Sequence, residues 1–176
     1  MKTFFTTLII FSTTTLAFAQ DNYPIPEKTP TRLFYIQHSN NSNTFVYDAN
    51  IINNTINKEK PINEYRILYT EDGAIKPLTG LQKRMAYGLT IDFQSPTLYK
   101  MYLEASKKIP FFLTLDSNSK PIVYITVNNN KMLLDRIFVK LKGTFSLIHT
   151  EVDYILFEGK DFVTKQDVSE KYVISN

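Results

Sequence analysis

The chain has 176 residues, 43% of them hydrophobic, with 20 Lys and Arg against 17 Asp and Glu for a formal net charge of +3. Length and composition suit one globular domain, and so mild and interspersed a positive charge excludes the clustered basic footprint of a nucleic-acid binder. The lack of Cys excludes disulfides, thiol catalysis, Cys-based metal sites and the lipid anchor of a bacterial lipoprotein.

Met1-Lys2-Thr3 supplies a minimal positive start, Phe4 to Leu16 an apolar stretch diluted by Thr, and Ala17-Phe18-Ala19 a small-x-small cleavage pattern. Residues 1–19 therefore read as a secretory signal peptide, because the run falls short of the roughly 20 apolar residues a membrane span needs. An exported protein is expected, periplasmic or extracellular, with no transmembrane segment after cleavage. Nine of the 13 Phe and all 11 Tyr lie beyond Phe18, enough to build a core by burial alone.

Residues 20–31 contain Pro24, Pro26 and Pro30 and read as an extended lead-in to a domain over 32–176. That domain opens on a hairpin, with strands at Leu33–His38 and Thr44–Asn50 around a reversal of only Ser and Asn. Leu33, Tyr35 and Gln37 alternate with Phe34, Ile36 and His38, so the first strand is expected to be covered on both faces. Ile51 to Asn63 reads as a polar loop, Glu64 to Thr70 as a strand and Glu71-Asp72-Gly73 as a turn.

The one helix signal is Leu78 to Gly88. Thr79 and Gln82 have the spacing of a capping box, Gly88 sits where a left-handed C-terminal cap is expected, and Leu81 and Met85 define a narrow apolar face. Further strands are expected at Leu89–Gln94, Leu98–Ala105, Phe111–Leu115, Ile122–Asn128, Met132–Lys142, Phe145–His149 and Val152–Glu158, with a short last one at Lys171–Ile174. Gly143 and Gly159 mark breaks. In the Met132 run, Ile137, Val139 and Leu141 share one face. About nine or ten short strands with polar reversals and one short helix predict an all-β antiparallel domain, barrel-like or a sandwich.

The hairpin Arg32 to Asn50, the Gln82-Lys-Arg-Met-Ala-Tyr-Gly88 segment and the Met132-Leu-Leu-Asp-Arg-Ile-Phe-Val139 run together resemble domain of unknown function 4833. The resemblance runs from about Pro26 to Gly159. It implies a secreted protein of a Bacteroidetes-type bacterium, and it brings no activity, cofactor or catalytic residue with it.

No catalytic motif stands out. His38 and His149 lack His-x-x-x-His or His-Glu-x-x-His spacing and read as strand-end histidines, so neither a metal nor any other cofactor is expected. Asp48, Glu64, Asp92 and Glu104 are the carboxylates available for glycoside-type hydrolysis. Asp48, Arg66, Asp135 and Arg136 are charges set in apolar strands, which either pair structurally, face solvent or orient a ligand. Tyr35, Tyr47, Tyr65, Tyr69 and Tyr87 either fill the core or line a pocket by ring stacking. Tyr47, Asp48, Arg66, Tyr87 and Arg136 are thus the candidate ligand-binding residues. The expected function is a non-catalytic binding or envelope-accessory module for a small molecule, glycan or envelope protein. A hydrolase using carboxylates or His is the alternative.

Overall fold

Alternating apolar residues bounded by Asn, Asp and Gly reversals lay nearly the whole chain down as strand. The computed structural model describes residues 23–142 and 151–174; the signal peptide, Gly143 and the strand expected at Phe145–His149 lie outside them. The strands are β1 (Arg32–His38), β2 (Asn41–Ala49), β3 (Ile51–Ile52), β4 (Thr55–Ile56), β5 (Ile62–Leu68), β6 (Ala74–Pro77) and β7 (Leu89–Ser95). β8 (Leu98–Leu103), β9 (Ser106–Leu115), β10 (Pro121–Val127), β11 (Asn130–Leu141), β12 (Val152–Asp161) and β13 (Asp167–Tyr172) follow. The all-β class is as expected. The excess over nine or ten strands comes from β6 and from the β3–β4 hairpin inside the expected loop, where Asn53 and Asn54 at φ 50° and 58° make the reversal.

The main sheet runs β6-β5-β2-β1-β11-β10-β9-β8-β7 and curls into a half-barrel. β11 is its hub. Asn130 to Leu133 pair antiparallel with β10, Arg136 to Val139 pair with β1, and its other edge carries β12, which in turn carries β13. The β1–β11 ladder is parallel, unlike the other ladders described. Strands β2 to β10 separate the two along the chain, so no short turn dictates an antiparallel direction.

The inside of the curl is packed toward one end. Phe34 stacks on Tyr47 at 4.4 Å between ring centroids and on Phe111 at 5.5 Å, and Tyr99, Met101, Leu113, Ile125 and Met132 complete a buried cluster. Outside, the lead-in covers β1 as its two-faced pattern requires. Tyr23 packs on Phe138, and the Gln37 amide donates to the Pro24 carbonyl at 2.7 Å and to Thr44 Oγ1 at 2.9 Å. Gln37 and Thr44 are the buried polar residues of the described chain, at 1% and 0% exposure, and they satisfy each other.

Two glycines do not act as the sequence suggests. Gly159 lies inside β12, opposite a β-bulge at Asp135, where a Cβ would come within 1.9 Å of the Leu133 carbonyl oxygen. The strand passes through because the residue has no side chain. Gly88 is extended (φ −68°, ψ 158°) instead of left-handed. Its N–H bonds Lys83 O at 3.0 Å across a π-turn, which brings that carbonyl to 2.5 Å from where a Cβ would stand.

The Thr79–Gln82 capping box forms as expected and starts the helical segment Gly80–Tyr87. Leu81 and Met85, however, are 61% and 67% exposed. The wider π-turn at Lys83–Tyr87 shifts the three-to-four spacing on which the expected apolar face depended. Tyr87 holds the segment to the sheet in their place.

Candidate functional site

Beyond the packed end, the inside of the curl opens into a cavity of about 950 Å³, at the upper end of the roughly 300–1,000 Å³ range of small-molecule sites. Strand direction places it. β1 passes from Phe34 in the core to His38 on the cavity wall, and β11 from Met132 and Leu134 in the core to Val139 and Leu141 on the wall. β9 runs the other way, from Lys108 and Ile109 on the wall to Leu113 in the core.

The lining divides into two arcs. Ile137 and Val139 of β11, Ile155 and Phe157 of β12 and Tyr172 of β13 form an apolar wall. Asn41 and Asn43 of β2 and Arg66 of β5 form a polar arc. Arg66 sits directly across from Phe45 in the β2–β5 ladder and so shares its inward face. Its Nε and the Asn43 Oδ1 are buried without a hydrogen-bond partner among the described residues. Arg66 and Lys108 bring positive charge to the lining, and no Asp or Glu among the described residues lines it.

Between the arcs stands an aromatic post. Tyr87 stacks on Phe45 at 3.5 Å, its hydroxyl lies 3.0 Å from His38 Nε2, and its backbone carbonyl accepts from Tyr47 at 2.7 Å. Burial lowers the His38 pKa to about 4 and raises that of Tyr87 to about 12. Both are therefore neutral near pH 7. A base with so low a pKa is poorly matched to proton abstraction at neutral pH, so the pair is better suited to fixing the helical segment over the cavity.

The five candidate residues separate. Arg66 and Tyr87 line the cavity together. Tyr47 is fully buried beneath it and reaches it only through the Tyr87 backbone. Asp48 joins a separate cluster, accepting from Arg32 Nε at 2.5 Å and from the Tyr65 hydroxyl at 2.9 Å. Arg136 lies on the outer face, in a depression of about 440 Å³ beside Tyr23, Tyr35 and Gln37. There it donates to Gln37 Oε1 at 2.9 Å and to Glu158 at 2.8 Å.

None of the four hydrolytic carboxylate candidates lines the cavity. Asp48 is tied to Arg32, Glu64 to Lys83 at 2.7 Å, and Glu104 accepts from Thr90, while Asp92 is exposed on β7. Among the described residues, no group of three or more His, Asp and Glu is placed to hold a metal ion, and no helix is long and apolar enough to cross a membrane. His149 lies outside them. Asn43 and Lys108 were not singled out from the sequence, because a polar residue near a strand end looks the same whether it faces solvent or a cavity.

Fold and cavity define an all-β half-barrel with an amphipathic interior. The chain belongs to the family described as Domain of unknown function (DUF4833), whose profile matches residues 34–171. Comparison with curated proteins and with solved structures gives no match.

Proposed function

We propose that this protein is an exported, non-catalytic binding module whose half-barrel takes up a small molecule with a substantial apolar part. The observation that carries this reading is the cavity itself, whose β11–β13 wall presents aliphatic and aromatic side chains that pack against the core behind and face open space in front. Apolar surface without protein contacts forgoes dispersion and hydration gains that a ligand restores. The apolar stretch and cleavage pattern of residues 1–19 support export, and hence a ligand met in the cell envelope or outside the cell.

Nile red, a neutral apolar dye, tests the reading. The mature chain should bind it saturably, and Val139→Trp, which puts an indole into the cavity from a half-buried position, should abolish binding while leaving the fold intact by circular dichroism. Failure of the wild-type chain to bind the dye, or undiminished binding by the folded variant, would contradict it.

A further inference from the structure

Resting on the cavity as a binding site, we propose that its ligand class is a linear amphiphile with a single anionic head, a carboxylate, seated against Arg66 with its tail along the β11–β13 wall. The charges of the lining point there. Arg66 and Lys108 are cationic, and no acid among the described residues lines the cavity to answer them.

Arg66 also differs from the other half-buried arginines. Arg32 is paired with Asp48, and Arg136 with Glu158, each side chain only 10–13% exposed. Arg66 has no ion pair or hydrogen bond among the described residues, and its Nε is buried without an acceptor. An Nε–H withdrawn from water without an acceptor is costly, and a bound carboxylate removes that cost through charge-assisted N–H···O⁻ bonds to a guanidinium that has no other counter-charge among the described residues.

Asn43 can serve the same chemistry once its amide is turned. Its side chain presents an unpartnered end to the same polar arc, and the amide turned end for end offers an N–H donor in place of the oxygen. One guanidinium and one amide suit a compact monoanion. The polar arc on β2 and β5 faces the apolar arc on β11 to β13 across the cavity, so head and tail have separate places.

The test titrates the mature chain and Arg66→Met with dodecanoate, dodecan-1-ol and Nile red. Wild type should bind dodecanoate about tenfold or more tightly than Arg66→Met does, while Nile red and dodecan-1-ol bind both proteins alike. Equal dodecanoate affinity in the two proteins, with Nile red still bound, would overturn the anionic-head proposal and leave the cavity as a purely apolar site. Binding of none of the three by wild type would overturn both readings together. Should Arg66→Met fail to fold, dodecyltrimethylammonium replaces the variant: wild type must prefer dodecanoate to this cationic amphiphile, and the opposite preference sinks the proposal.

Discussion

His38 makes the stability of this protein depend on pH in a window where few groups titrate. Its ring is held in the protein against Tyr87 and Phe45, and burial lowers its pKa from 6.5 to about 4. The unfolded chain therefore binds a proton that the folded chain refuses between those values. Stability from this group is fully present above about pH 6.5 and is lost as pH falls through about 4. The difference of about 2.5 pKa units corresponds to about 3 kcal/mol, with a slope approaching about 1.4 kcal/mol per pH unit in mid-window. Urea unfolding of the mature chain at pH steps from 8 to 4 measures it. His38→Gln keeps an acceptor for the Tyr87 hydroxyl without a titrating ring, and carboxylates and His149 are common to both proteins and cancel. The wild-type curve should fall below that of His38→Gln as pH drops, by about 3 kcal/mol at the acid end. Parallel curves, or an NMR titration placing the His38 ring near pH 6.5, would refute the reasoning.

Gly159→Ala should destabilise by about 3 kcal/mol or more, above ordinary overpacking, because its Cβ meets backbone at 1.9 Å and either β12 or the bulge must move. Thermal melts check this, and a change below about 0.5 kcal/mol contradicts the close approach. Gln37→Leu should cost about 1–3 kcal/mol, since it leaves Arg136 Nε and Thr44 without their partner in a buried site. Denaturant unfolding reads it out, and a neutral result means that water or the lead-in supplies the missing bonds.

Much of this fold was legible because its signals are local. The β1–β2 hairpin follows from apolar runs on either side of Ser and Asn, and the capping box from Thr79 and Gln82 three residues apart. Arg66 drew notice for the same kind of reason, as a charge between Tyr65 and Ile67. Its role turned on something not local: whether a carboxylate arrives across the sheet. Asp48 and Arg136 find partners through the β1–β2 and β11–β12 registers, whereas Arg66 has Phe45 opposite it and finds none among the described residues. Ile137, Val139 and Leu141 were legible as one apolar face. That this face lines a cavity depends on how far the sheet curls, and on β6 and β7 standing at opposite ends of the strand order without pairing. Gly159 misleads because glycine marks a break and a close strand crossing equally well.

The most direct test of the cavity is a two-dimensional amide NMR titration of the mature chain with dodecanoate. Binding as described shifts the backbone amides around His38, Asn43, Arg66, Val139 and Ile155, and leaves those of β10 and of the outer depression at Tyr35 and Arg136 unmoved. Shifts centred on the outer depression, or no saturable shifts at all, would contradict the assignment of the half-barrel interior as the binding site.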